Sequence, residues 1–157
     1  MDTESLFADF TSRLRASNAT WDDPEFTVKF PGMMQRIASA LVFAIGDDNL
    51  DYLDSSVDGD ERIFEVLAFG NDTLFHLYCD DTDDPSVDVT PLSAVCELTV
   101  TGSPLVHDDA SGDGAQPFVF SAQFGAQRFE FPLEAGNTMQ QDRMPVAYDL
   151  LRRRLNT

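Results

Sequence analysis

The stretch Arg62–Asp80, RIFEVLAFGNDTLFHLYCD, decides the fold because it holds two apolar runs separated by a turn. This pattern predicts a β-hairpin in which Asn71 and Asp72 form a two-residue loop. With that loop, the residue pairs on one face are all apolar: Ala68 with Phe75, Val66 with Leu77 and Phe64 with Cys79. The opposite face pairs Phe69 with Leu74, Leu67 with His76 and Glu65 with Tyr78. We therefore expect the first face in the core and the second, mixed face only partly covered.

Apolar residues at helical spacing predict three amphipathic helices. They cover Thr3–Ala16, Met33–Ile45 and a C-terminal segment from about Arg143 to Leu155. Glu25–Phe30 is predicted to be a short strand, which Pro31 and Gly32 end.

Seven strands are predicted after the second helix, near 51–57, 62–70, 73–80, 86–90, 94–101, 118–124 and 127–133. Asp58-Gly59 is predicted as the two-residue turn of the first hairpin and Gly125-Ala126 as that of the last. Pro91–Leu98 remains open between strand and a short helix capped by Thr90. The predicted fold class is α+β, built on antiparallel strands, and the length favours a single domain over 1–157.

This order of strands followed by one helix resembles a bacterial PH-like domain. The resemblance implies a partly open barrel or orthogonal sandwich of six to seven antiparallel strands with a C-terminal capping helix, over 50–157. The two N-terminal helices are extra to that family, and we expect this helical extension, 1–46, to pack on the core. The loop at Asp58-Gly59 lacks the basic cluster of phosphoinositide-binding members, so lipid binding is not implied. A second likeness is to small acidic α/β secretion chaperones, which would require a helix at Pro91–Leu98.

The charge is strongly unbalanced, with 28 acidic and 10 basic side chains and a formal net charge of −18. Such a field repels nucleic acid and anionic membranes and attracts cationic partners. Lys29 is the single lysine beside nine arginines. An acidic, lysine-poor surface is typical of a high-GC or salt-adapted host, and we favour that interpretation over an acidic mimic of nucleic acid.

One acidic segment partly matches a calcium-binding loop. Positions one, three, five, six and twelve of an EF-hand-like loop fall on Asp54, Ser56, Asp58, Gly59 and Glu65, and Asp60 adds a further candidate ligand. Glu61 and Arg62 oppose the match, because an apolar residue normally precedes the ninth position and a cation is unfavourable there. We therefore favour a hairpin turn over a metal site in this segment.

Catalytic motifs are missing from the sequence, which has no GxSxG, GxGxxG, P-loop or HExxH. We expect neither enzyme activity nor a cofactor. Cys79 and Cys96 fall on inward-facing strand positions and are predicted to be buried free thiols. Gly102–Gln116, which contains His107, is predicted to be a mobile surface loop. The absence of a signal sequence or a long apolar stretch predicts a soluble, cytoplasmic protein.

The leading functional hypothesis is a non-enzymatic protein-binding module, an adaptor or scaffold with a PH-like core. The alternatives are an acidic inhibitor that blocks a basic protein by imitating nucleic acid, and a small acidic chaperone. The partner is expected to be a protein, in particular a basic one, and not nucleic acid or a membrane. Monomer and homodimer both remain open. The candidate partner-binding carboxylates are Asp47, Asp48, Asp51, Asp54, Asp58 and Asp60.

Overall fold

The computed structural model describes residues 2–104 and 117–155, and these ranges form an α+β fold. The helices are α1 (Thr3–Ser17), α2 (Pro24–Lys29), α3 (Met33–Ile45) and α4 (Met144–Leu155). The strands are β1 (Leu50–Asp58), β2 (Ile63–Gly70), β3 (Thr73–Asp80), β4 (Val87–Pro91), β5 (Val95–Gly102), β6 (Val119–Phe124) and β7 (Gln127–Phe131). Two antiparallel sheets have the orders β1-β2-β3-β4 and β5-β6-β7. The predicted fold class is confirmed.

The chain divides into two compact units, Met1–Leu92 and Ser93–Thr157. The first unit contains α1, α2, α3 and the four-stranded sheet. The second contains the three-stranded sheet and α4. A single domain over 1–157 and a PH-like core both stay predictions.

The central hairpin has the register that its sequence predicts. Ala68 pairs with Phe75, and the pairing continues outward through Val66 with Leu77 and Phe64 with Cys79. All six of these side chains are buried in the core of the first unit. The opposite face is more buried than expected, because Leu67, Phe69, Leu74 and His76 are buried as well.

The helices of the first unit cover the apolar face of its sheet. Helix α3 turns Ile37, Ala38 and Leu41 into the core, as its apolar spacing predicts. The segment predicted as a strand at Glu25–Phe30 is wrong, because α2 occupies Pro24–Lys29. Asp23 caps this helix by accepting a hydrogen bond from the Glu25 N–H, and Pro24 fits its first turn.

An aromatic cluster joins α2 to the sheet. The ring of Phe64 lies 5.0 Å from Phe30, 6.0 Å from Phe26 and 6.4 Å from Trp21, between centroids. The pairs with Phe30 and Phe26 are edge-to-face, and such pairs contribute about 0.5–1.5 kcal/mol each beyond their buried area. Phe64 is fully buried, so it is a central packing residue of the first unit.

A buried polar network fastens the N-terminal helices to β1. The Ser55 hydroxyl accepts a hydrogen bond from the indole N–H of Trp21 at 2.8 Å and lies 2.6 Å from the Ser17 hydroxyl. The Asn18 amide donates to the Ser55 carbonyl at 3.1 Å. Because these groups are paired, β1 carries polar atoms on its core-facing side without a large desolvation cost.

The structure corrects one predicted turn and decides the segment that the sequence leaves open between strand and helix. Asp58 pairs with Ile63, so the β1–β2 loop is Gly59 to Arg62 and not the two residues Asp58-Gly59. The Asp58 carboxylate accepts hydrogen bonds from two N–H groups of that loop, which allows the longer turn. The segment Pro91–Leu98 does not form a helix over its length, because a 3₁₀ turn occupies Leu92–Ala94 and β5 follows it.

The position of Cys96 also differs from its prediction. Cys96 is exposed, because the β5–β6 register shifts between Val95 and Glu97 and leaves Cys96 in a bulge. A bulge adds one residue to a strand and breaks the strict alternation of faces on which the prediction depended.

The second unit is built on the β6–β7 hairpin, whose register is as predicted. Phe120 pairs with Phe131, and their stacked rings lie 4.6 Å apart between centroids. Tyr148 of α4 packs edge-on against Phe120 at 5.3 Å. The predicted C-terminal helix is confirmed, with Ala147 and Leu151 buried.

In 2–104 and 117–155, no helix has the length and apolar character needed to cross a membrane. The predicted loop Gly102–Gln116 falls largely on residues outside the described ranges, and so does His107.

Candidate binding surface

The six candidate partner-binding carboxylates do not form one exposed row. Asp47 and Asp48 follow α3, whereas Asp58 and Asp60 lie at the far end of β1, about 26 Å away for a strand of this length. Between them, Asp54 is fully buried. A row of surface charges imitating phosphates would be interrupted at that point.

Most residues of the calcium-loop match lie on a pair of strands, and only Gly59 and Asp60 lie in the loop between them. Asp54, Ser56 and Asp58 alternate along β1, and Glu65 pairs with Ser56 from β2. Within the described ranges, no group of three or more His, Cys, Asp or Glu side chains is arranged to hold a metal ion. The Glu65 carboxylate lies 2.7 Å from His76 Nε2 instead.

Asp54 has a protein donor in place of a partner molecule. The Tyr52 hydroxyl donates to the Asp54 carboxylate at 3.0 Å, and both side chains are fully buried. Burial, with the negative charge of Asp54 as the lesser cause, raises the pKa of Tyr52. Tyr52 therefore keeps its proton and continues to donate at any ordinary pH.

Cys79 does not have the features of a reactive thiol. Burial raises the pKa of Cys79 to about 11, so its thiol stays protonated at neutral pH and is a poor nucleophile. Cys96 is an exposed thiol on β5. A cysteine nucleophile needs an electropositive site that stabilises its thiolate, and at Cys79 burial outweighs the opposing effect of the Arg36 charge on the pKa.

Two large apolar side chains stand out on neighbouring elements of the first unit. Phe43 of α3 is 82% exposed and Val89 of β4 is 59% exposed. Helix α3 packs beside β4. Exposed apolar groups on adjacent elements are characteristic of interaction sites, whereas isolated ones are common on any surface.

Arg36 shows which flank of α3 faces β4. Its guanidinium donates to the Asp83 carbonyl at 2.6 Å and lies 3.4 Å from the Asp84 carboxylate, in the loop between β3 and β4. Phe43 follows Arg36 by seven residues, which is two helical turns, and so lies on the same flank. Phe43 therefore lies on the side of α3 from which Arg36 reaches the loop that precedes β4.

Strand β4 completes this surface with a free edge. It is the last strand in its sheet, and in the described ranges only β3 pairs with it. We call the exposed residues of this region, Phe43, Asp88 and Val89, together with the half-buried Val87 and the outer edge of β4, the α3–β4 surface.

None of the sequence predictions included this surface, although the position of Phe43 in its helix indicates exposure. Phe43 lies off the apolar stripe formed by Ile37, Ala38 and Leu41, and a phenylalanine outside the stripe of an otherwise well-patterned helix indicates exposure. Val89 had no such signal, because its exposure depends on β4 being an edge strand, which only the order of strands in the sheet determines.

Comparison of the chain with protein-family models, with curated proteins and with solved structures finds no match.

Proposed function

We propose that this chain is a non-enzymatic protein-binding module, an adaptor or scaffold whose docking site is the α3–β4 surface. The observation that carries the proposal is the exposure of Phe43 and Val89 beside a free strand edge. An aromatic and an aliphatic side chain that are exposed to water on neighbouring elements gain free energy when a partner covers them. A PH-like core remains part of this proposal.

The cytoplasm is the proposed compartment. Its reducing conditions fit two cysteines that are both unpaired, one buried and one exposed.

An acidic inhibitor of a basic protein is the second candidate, and one observation favours it. The first unit holds 20 of the 28 acidic side chains and only five of the ten basic ones. A field of that strength draws a basic partner whether or not an apolar surface is present. The two candidates differ in how binding responds to salt.

Affinity capture from a lysate of the source cells tests the proposal. The bait is the full chain, compared with Phe43→Asp and with Val28→Asp as a matched control, because Val28 on α2 is 83% exposed in the same unit. We expect a partner that survives raised salt, is kept by Val28→Asp and is lost with Phe43→Asp. A partner that all three baits hold, or that raised salt alone removes, contradicts docking at the α3–β4 surface and favours the inhibitor.

A further inference from the structure

The backbone of β4 offers a short row of hydrogen-bonding groups to the outside. The Leu92 N–H donates to the Asp72 carbonyl at 2.8 Å, so the backbone groups of Leu92 point towards β3. Backbone direction alternates along an antiparallel strand, so Asp88 and Thr90 also point towards β3. Val87 and Val89 then direct their N–H and carbonyl groups outward, and Pro91 contributes only a carbonyl.

This row differs from one edge of the second sheet, that of β5, whereas the other edge strand, β7, pairs regularly with β6 as β4 does with β3. Strand β5 is also an edge strand, but its register shifts near both ends, between Val95 and Glu97 and between Val100 and Gly102. Bulges of this kind protect an edge from pairing with another chain. The register of β4 with β3 is regular over its whole length.

The two faces beside the β4 edge differ in chemistry. Val89 pairs with Phe75, so its side chain lies on the sheet face covered by α3, on whose flank Phe43 is exposed. Asp88 pairs with His76 and lies on the opposite face, where Glu65 is hydrogen-bonded to His76. At this edge, one face therefore presents the apolar side chain of Val89 and the other the carboxylate of Asp88.

From this arrangement we infer that the partner docks as an extended segment in which basic and apolar residues alternate, added to β4 as a fifth strand. Its backbone pairs with the outward groups of Val87 and Val89. Its apolar side chains lie beside Val89 and Phe43, and its arginines or lysines lie on the face of Asp88. Alternate side chains of a strand point to opposite faces, which matches the two chemistries. The inference rests on the proposed function and names the partner's chemistry.

Synthetic peptides test the inference against the full chain by fluorescence anisotropy. The probe alternates arginine and valine and is matched to β4 in length. The control peptide has the same composition arranged as an arginine block followed by a valine block. It keeps the general attraction to an acidic protein, but as a strand it no longer has one basic face and one apolar face. We expect the alternating peptide to bind at least about tenfold more tightly than the block peptide.

Two variants separate strand addition from other modes of binding. Val89→Pro removes an N–H that points outward, which an edge strand tolerates, whereas Val89→Thr keeps that N–H and a similar shape. Val89→Pro is expected to abolish the preference for the alternating peptide, and Val89→Thr to keep most of it. Asp88→Lys should weaken the alternating peptide by about tenfold. Trp21 fluorescence checks that each variant is folded.

Equal affinity for both peptides, no binding of either, or a preference that survives Val89→Pro overturns the inference. None of these results affects the proposed function, which is decided by whether Phe43→Asp loses the captured partner. If capture of the partner depends on Phe43 but the alternating peptide is not preferred, the chain is a protein-binding module whose partner does not add a strand to β4.

Discussion

The two units of this chain differ most in charge. Met1–Leu92 has a formal net charge of −15, whereas Ser93–Thr157 has −3. The acidic unit also has the layered core, with helices packed on a four-stranded sheet, while the nearly neutral unit has three strands and one helix. The unit with the stronger repulsion between its own charges is therefore also the unit that buries more apolar side chains, and this burial offsets the repulsion.

The largest expected effect comes from removing an aromatic ring from each core. Phe64→Ala deletes a fully buried ring of the acidic unit and should lower the free energy of unfolding by about 3–5 kcal/mol. Phe131→Ala deletes a ring of the other unit that stacks on Phe120. Urea unfolding followed by the fluorescence of Trp21, the single tryptophan, reports directly on the acidic unit.

These two variants also test the prediction of one domain. If 1–157 unfolds as one cooperative domain, Phe131→Ala shifts the Trp21 midpoint even though Trp21 lies in the other unit. We expect that shift. Phe43→Ala is the control, because its ring is exposed and its loss should change stability by no more than about 0.5 kcal/mol. A Trp21 midpoint that Phe131→Ala leaves in place would show two units that unfold separately.

A smaller effect is expected at Gly70, where β1 meets β2 irregularly. The register shifts between Leu50 and Tyr52, and a Cβ atom at Gly70 would collide with the backbone carbonyl of Asn49. Because backbone has to move, Gly70→Ala should cost about 1–3 kcal/mol. Gly59→Ala, in the loop at the other end of the same hairpin, is the matched control, since its Cβ meets only the end of Lys29 at 3.7 Å. Equal stability of the two variants in urea would contradict this account.

The sequence predicts what is decided locally. The registers of β2 with β3 and of β6 with β7 follow from short loops and alternating apolar residues, and the bounds of α3 follow from its stripe. The errors arise where a short-range feature overrides the pattern: the Asp23 cap with Pro24 starts a helix in an apparent strand, and a bulge exposes Cys96. The α3–β4 surface depends on the order of strands, which short-range patterns do not encode.

Salt should stabilise the acidic unit by screening its repulsion. The screening length falls from about 30 Å at 0.01 M to about 3 Å at 1 M salt. We expect the midpoint of thermal unfolding, followed by Trp21 fluorescence, to rise over that range of salt. The rise should be about 2–4 °C for each kcal/mol by which the free energy of unfolding increases. At low salt, Asp48→Asn should raise the midpoint more than Asp142→Asn, because Asp48 lies in the unit of higher charge and both residues are exposed. Equal gains from the two variants would contradict a charge difference that matters for stability.

The smallest expected effect is a change in the pKa of one carboxyl group of the acidic unit, that of Asp80. The Thr82 hydroxyl, and then the N–H groups of Thr82 and Asp83, donate to Asp80 and hold the pKa of its carboxyl below the usual range. In the nearly neutral unit, the pKa of Glu97 is lowered by a hydrogen bond and ion pair with Arg128. The acidic unit therefore stabilises this charge with neutral donors, and the other unit uses a cation.

Thr82→Val tests this difference by NMR titration of the carboxyl groups. The variant should raise the pKa of Asp80 and leave that of Glu97 unchanged in the same spectrum. A carboxyl whose pKa is lower in the folded than in the unfolded state adds stability above the unfolded value. That stability is lost as the pH falls through the folded pKa, so the wild type should lose more stability than Thr82→Val as the pH drops below about 4. Were Asp80 to titrate identically in both proteins, its charge would have to be stabilised by the backbone N–H groups alone.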